Sequence, residues 1–371
     1  MAVAAVGVAF GGPSPEHDVS VLTGLQAAQA LQRAGREVHA LYWTRTGEWF
    51  EVPPGEEAAS FASGLPKGAV ELSLVALPGV GFAARGGRLG RPKPINLEAI
   101  VVCMHGGPGE DGTLQGAFDL AGLSYSGPTA AGAAVGMDKL AFGSLAASAG
   151  LPVLPRFLLT EEAKAGFDGP YIVKPRFGGS SIGIEVVEDL QSAKALARSS
   201  RHLRRGAVVE PWRNDLFDLN VAVRTWPQVE LSAIEKPLRS SGGAKILSYA
   251  DKYVGGEGMV SAPRELPAEI PPATAQQVLE IARSLVPLAG IRGVARVDFL
   301  AGESGELYLN ELNTVPGSLA KYLWVKPALD FGQLLEDLLA EAVRSPAVRY
   351  STEGADGSAL RSAGSIAAKL A

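Results

Sequence analysis

The opening of the chain constrains the fold most. Residues 2–10 form a short apolar run, and Gly11-Gly12-Pro13-Ser14-Pro15 then turns the chain. Val19–Ala34 follows as a helix with Leu22, Leu25 and Leu31 on one side and Gly35 as its stop. Glu37–Tyr42 reads as a second strand. Strand, helix and strand in that order require a crossover, which implies a parallel sheet. The expected start is therefore an open parallel α/β domain. Residues 53–94 are rich in Gly, Pro and Ala with weak periodicity, and are read as a peripheral insertion. Ile95–Met104 is the next apolar strand.

Glu16-His17 and His105 lie in loops directly after apolar strands, at the carboxyl edge of the sheet where open α/β folds bind ligands. With Glu110 they form a candidate ligand edge, whereas His39 and His202 have no such context. Further on, Thr113–Ala121 and Asp138–Ala149 read as helices, and two α+β segments follow. The expected division is 1–137, 138–212 and 213–344, with a Ser/Ala/Gly-rich tail over 345–371.

Composition removes several classes of function. With 371 residues, 47% of them apolar, and a net charge of −5, the chain is neither disordered nor broadly basic. No nucleic-acid partner is expected. Cys103 is the single cysteine, which excludes an intramolecular disulfide and a Cys-based metal cluster. No apolar run approaches the ~20 residues that cross a bilayer. The N-terminus lacks the basic flank of a signal peptide. The expectation is a soluble cytoplasmic protein without membrane insertion.

The most informative segment pairs Val294–Leu300 with Leu307–Asn313 as a hairpin. Alternation puts Arg296 and Asp298 on one face of the first strand, and Glu311 and Asn313 on one face of the second. With Leu300 and Leu307 flanking the turn, Asp298 is expected opposite Leu309, with Glu311 as its diagonal neighbour. Two carboxylates and an amide would then share a centre suited to Mg²⁺. A solvated polar face is the alternative. Elsewhere, Tyr171-Ile172-Val173-Lys174-Pro175 carries a lysine into Gly178-Gly179-Ser180-Ser181-Ile182-Gly183. Such a loop suits phosphate but does not match the P-loop spacing, and a glycine hairpin without a ligand is the alternative. Lys139 opens a helix, where a cation is disfavoured unless an anion partners it. Ser248–Gly256, with Lys252 and Tyr253, reads either as a closing loop or as plain surface.

Together these segments resemble the D-alanine–D-alanine ligases of the ATP-grasp superfamily. The matching strings run from Pro15-Glu16-His17-Asp18-Val19-Ser20 through Gly109-Glu110-Asp111-Gly112-Thr113-Leu114-Gln115-Gly116, Met137-Asp138-Lys139, Asp251-Lys252-Tyr253 and Arg296-Val297-Asp298 to Glu311-Leu312-Asn313-Thr314. The resemblance implies a three-domain ATP-grasp fold of α/β and α+β parts. It also implies ATP-driven joining of a carboxylate to an amine through an acyl phosphate, making D-alanyl-D-alanine for peptidoglycan. By resemblance Lys139 and Lys174 hold the α- and β-phosphates, and Lys252 reaches the γ-phosphate. Ser180 and Ser181 cover the phosphates, Glu210 meets the adenine and Asp218 the ribose. Asp298, Glu311 and Asn313 match ligands for two Mg²⁺ ions, with Mn²⁺ as a substitute. Glu16 and His105 match the first-substrate site, and Arg296 and the Gly317 N–H the oxyanion donors. Tyr253 and Ser180, linked to Glu16, match the network that positions the second substrate and removes its proton. A homodimer is the family's common form.

This sequence departs from the family at three places. Tyr322 stands where a serine commonly receives the second substrate's carboxylate, between Lys321 and Leu323. Pro211 replaces a frequent lysine, and Asp218 lies one residue further from Glu210 than the usual glutamate. The first departure keeps open an ATP-grasp ligase for another amino-acid pair or a D-hydroxy acid, although Tyr253 accompanies amine acceptors. A non-catalytic nucleotide-binding homologue would lack a phosphate lysine or metal ligand, and every one is present.

Overall fold

The structure is a computed structural model that describes residues 5–84, 93–238, 263–348 and 350–369. Seven strands form the first sheet: β1 (Val6–Gly11), β2 (Val38–Trp43), β3 (Trp49–Val52), β4 (Val70–Val75), β5 (Gly81–Ala84), β6 (Lys93–Pro94) and β7 (Ile100–Val102), in the order β6-β5-β4-β3-β2-β1-β7. Only β1 pairs in parallel, with β2 on one side and β7 on the other. The remaining pairs are antiparallel. The sheet is therefore mixed: its centre is parallel as expected, and antiparallel strands extend it. Most of its antiparallel edge comes from residues 53–94, whose short strands extend the sheet at its periphery. The third apolar strand is also shorter than expected, Ile100–Val102 in place of Ile95–Met104.

Both faces of β1 are covered, which is why its sequence is continuously apolar. Val6, Val8 and Phe10 pack with Val21, Leu25 and Leu31 of the helix His17–Arg33, and with Leu335, Leu338 and Leu339 of the helix Phe331–Arg344. On the other face Ala9 joins Ile100, Val102, Leu114 and Phe118. Leu22 is 42% exposed, contrary to its expected place beside Leu25. The buried stripe runs through Val21, Leu25, Ala28 and Leu31, and one residue is a ~100° step away from it.

Two further four-stranded sheets follow. The strands β8 (Phe157–Leu158), β9 (Tyr171–Pro175), β10 (Glu185–Val187) and β11 (Ala207–Pro211) make an antiparallel sheet in the order β10-β9-β11-β8. The other contains β12 (Leu216–Arg224), β13 (Glu230–Leu231), β16 (Val294–Gly302) and β17 (Leu307–Asn313) in the order β13-β12-β16-β17. Between β13 and β16 in sequence, β14 (Lys236–Pro237) and β15 (Arg264–Glu265) pair separately. Phe142 and Ala146 of the helix Lys139–Ser148 pack on the third sheet, alongside the helix Pro272–Leu288. Among the described residues no helix is long and apolar enough to cross a membrane.

Candidate active site

The first wall of the cleft grows from the centre of the first sheet. Because β2 and β7 lie on opposite sides of β1, the chain reverses its direction of travel there, and the loops after β1 and β7 open a crevice. Glu16 stands in one loop, directly before the helix His17–Arg33, and His105 stands in the other. Both are buried and line the cleft. Gly106 has φ +63°, and a Cβ there would lie 2.4 Å from Glu16 Oε2. Only glycine lets the carboxylate sit against this turn.

The second wall is the loop after β9. Asp138 accepts from the N–H groups of Leu140 and Ala141, capping the helix that Lys139 opens. Arg176 grips the same carboxylate through Nε at 2.9 Å and Nη2 at 2.5 Å. That pair fastens the helix start to the glycine loop. Lys139 Nζ then donates to Gly178 O at 2.6 Å and lies 3.2 Å from Glu311 Oε2, the anion its helix-opening position called for. Ser180 and Ser181 hold left-handed backbone (φ 53° and 58°), a conformation that persists where surrounding contacts impose it. Here the Ser180 hydroxyl donates to Glu16 Oε1, joining the two walls.

The floor is the β16–β17 hairpin, where the observed register corrects the expected one. Asp298 stands directly opposite Glu311 and Arg296 opposite Asn313, because the ladder shifts between Asp298 and Phe299 and leaves Asn310 as an extra residue. Phe299 and Leu309 stay in the core while Asn310, Glu311 and Asn313 all line the cleft. Arg296 donates to both Asp298 oxygens at 2.7 Å, and Asn313 Nδ2 donates to Oδ2 at 2.9 Å. The donors are oxygen atoms of two carboxylates and one amide on a single face, a chemistry that fits a hard divalent cation. Among the described residues no three His, Cys, Asp or Glu side chains converge as a metal cluster. The third oxygen donor is the amide Asn313.

Of the other expected site residues, Asp218, Ser181, Glu210 and Gly317 also line the cleft. Lys321, Tyr322 and Leu323 do not. Lys321 lies over the Phe331 ring, Leu323 is fully buried beside Ala222 and Trp324, and the Tyr322 ring carries the Arg264 guanidinium 4.7 Å from its centre. Lys252 and Tyr253 lie outside the described residues. His39 pairs with Glu51 across β2 and β3 at 2.6 Å, away from the cleft. The structure adds residues that sequence reasoning missed. Glu235 accepts from Asn220 Nδ2 at 3.0 Å and pairs with Arg264 at 2.8 Å, and all three line the cleft. No motif marks them. Asn310 Oδ1, on the bulge, accepts from Lys174 at 3.2 Å.

Burial shapes the protonation of the first wall. Burial drives the His105 imidazole down to about 4, so the ring is neutral near pH 7. Burial, reinforced by the Glu16 charge, raises the Glu110 carboxyl to about 7, against the pull of hydrogen bonds from Gly106 N and Val315 N. An acid raised from 4.5 in the unfolded chain contributes stability that is full below that value and lost as pH rises toward 7. Glu110→Gln lacks this titration. The stability of the wild type relative to the variant, read from melting curves, is therefore expected to fall between about pH 5 and pH 7.5; a constant difference across that window counts against it.

Comparison with known proteins finds relatives along nearly the whole chain. Residues 5–128 match the family model for the D-ala D-ala ligase N-terminus, and residues 145–341 the one for the D-ala D-ala ligase C-terminus. A D-alanine–D-alanine ligase of Synechococcus sp. is 32% identical, over 92% of this chain and 97% of its own. D-alanine–D-alanine ligase B of Bradyrhizobium diazoefficiens is 30% identical, over 91% and 92%. The solved VanG D-Ala:D-Ser ligase of Enterococcus faecalis superposes with a TM-score of 0.74 at 28% identity, covering 92% of this chain and all of that one. With both halves matched and the cleft formed between them, this chain belongs to the D-alanine–D-alanine ligase family.

Proposed function

We propose that the protein joins two molecules of D-alanine at the expense of ATP, making D-alanyl-D-alanine for peptidoglycan precursors. The observation that carries this reading is one cleft in which Glu16 and His105 face Lys139, Lys174 and the polar side of the β16–β17 hairpin. The carboxylate of the first D-alanine takes the γ-phosphoryl group of ATP and releases ADP. The amine of the second attacks the acyl carbon, and inorganic phosphate leaves as the peptide bond forms.

Each residue then has a task. The Glu16 carboxylate holds the first ammonium group beside His105. Lys139 and Lys174 hold the α- and β-phosphates under Ser181, and Lys252 holds the γ-phosphate. Glu210 and Asp218 frame the adenine and ribose. Asp298, Glu311 and Asn313 would hold two Mg²⁺ ions, which supply charge neutralisation on the phosphates. Arg296 and the Gly317 N–H donate to the oxygen that gains charge as the amine attacks. Ser180, Glu16 and Tyr253 orient the second amine and accept its proton. Because Lys321, Tyr322 and Leu323 do not line the cleft, the carboxylate of the second D-alanine is not assigned to them. The buried Tyr322 hydroxyl lies close enough to Arg296 to feel its charge.

The divisions at 137/138 and 212/213 are assigned as domain boundaries, with the tail from 345 as a separate segment. The chain is further assigned to the cytoplasm, where its substrates are made, as a homodimer. The test of function is phosphate release from ATP and Mg²⁺ with single D- and L-amino acids, the product being identified by mass. D-Alanine alone is expected to support turnover and give the dipeptide. Turnover with a different pair and none with D-alanine sinks the substrate assignment.

A further inference from the structure

The chain that leaves β17 passes along the cleft as Val315-Pro316-Gly317 and then enters an unusual turn. Ser318, Leu319 and Ala320 are consecutive non-glycine residues in the left-handed region, with φ 48°, 49° and 53°. Each such residue costs roughly 1–2 kcal/mol, so neighbouring contacts must impose the turn. The side chains that do so come from the opposite wall. Glu110 Oε1 accepts from Val315 N at 2.9 Å, and His105 Nδ1 lies 2.6 Å from Val315 O. Thr23 Oγ1 accepts from Ser318 N at 3.0 Å and lies 2.8 Å from His105 Nε2.

The proton count in this chain of bonds is forced. A carbonyl oxygen only accepts, so His105 carries its proton on Nδ1 and presents Nε2 as an acceptor. The Thr23 hydroxyl therefore donates to Nε2, which leaves its lone pair for the Ser318 N–H. Thr23 is 1% exposed, so water does not replace either bond. The Val315 carbonyl fixes the imidazole tautomer, and one hydroxyl ties that imidazole to one end of the strained turn. Gly317 lies between the two anchored positions, Val315 held at both N and O, and Ser318 held at N.

We propose that Thr23 is a positioning residue that aims the Gly317 N–H at the oxyanion, acting through Ser318 and His105. This rests on the reading of Gly317 as an oxyanion donor. Thr23 reaches the reaction from the helix His17–Arg33, and the ligation step therefore depends on the first wall even where no substrate touches it. The phosphoryl step makes no use of the Gly317 donor.

The test compares Thr23→Val, which keeps the shape and loses both bonds, with Thr23→Ser, which keeps the hydroxyl. Dipeptide formation is measured beside acyl-phosphate formation, followed as scrambling of a heavy-oxygen label between bridging and non-bridging positions of ATP. Thr23→Val is expected to lower the kcat of ligation about 10- to 100-fold, the scale of a small misplacement of reacting groups. Label scrambling and the KM for ATP should stay within about twofold of wild type, and Thr23→Ser should restore ligation. Unchanged ligation in Thr23→Val overturns the role of Thr23. Scrambling and ligation falling together instead shows that Thr23 acts on the first-substrate site through His105, and equally overturns the proposal. If Thr23→Val does not fold, Thr23→Ala, which adds no bulk, is read by the same comparison.

Discussion

Arg296→Ala is expected to lower the rate of dipeptide formation by about 10²–10³-fold, the loss that follows removal of one preorganised donor to a developing oxyanion. The geometry gives the guanidinium two connected tasks. Its fork holds both oxygens of Asp298 at 2.7 Å, and Asn313 steadies the same carboxylate from β17. The arginine is thus fixed before substrate arrives, so its charge needs no reorganisation in the transition state. Arg296→Lys keeps the charge without the planar fork, and should recover only a small part of the rate. The measurement is kcat for phosphate release and for product, with melting curves to show that each variant is folded. A folded Arg296→Ala enzyme within threefold of wild type removes the assignment.

How far the sequence reveals this site depends on how local the signal is. The pairing of Arg296 with Asp298 follows from alternation alone, because residues two apart on a strand share a face. The register across the hairpin did not follow, although its cause was visible. Apolar residues fall at Leu307, Leu309 and Leu312, so the spacing changes from two to three and inserts one residue between Leu309 and Leu312. That residue, Asn310, is the bulge that turns Glu311 toward Asp298. Lys139 was legible for a physical reason, since a cation at a helix start needs an anion, and Glu311 supplies it. In contrast, Glu235, Asn220 and Arg264 meet only after β12 and β15 have packed, and Thr23 matters only because a turn 295 residues later returns to it. Contacts of that range leave no periodicity to read. Residues 53–94 lie at the edge of the sheet, and the strands they form there are hard to read for a similar reason. Their strands are short edge strands whose partners lie along the sheet, so burial imposes only a weak alternation on them.

The buried charges beneath the proposed nucleotide site lead to an asymmetric expectation for two neighbouring substitutions. Lys174 Nζ donates to Glu210 Oε2 at 2.7 Å, and Arg156 Nη2 lies 3.2 Å from Oε1. The three side chains are nearly inaccessible, with 8%, 1% and 6% of their surface exposed. Burial alone would push the Glu210 carboxyl up, but the Lys174 and Arg156 charges together outweigh it and hold the carboxyl below its usual range. The group therefore contributes stability that is present above the unfolded value and lost as pH falls through the lowered one. Two cations around one anion leave a net positive charge beside the cleft, which the proposed phosphate group would offset. Glu210→Gln strands both cations, and should cost about 3–5 kcal/mol of folding stability. Lys174→Met leaves Glu210 paired with Arg156 as a neutral couple, so its melting temperature should change much less. Its KM for ATP should instead rise at least tenfold, or by about 1.4 kcal/mol. Denaturant titration and ATP kinetics on both variants separate the two effects. A Lys174→Met protein as unstable as Glu210→Gln, with ordinary ATP affinity, would mean that the lysine serves the fold and not the nucleotide.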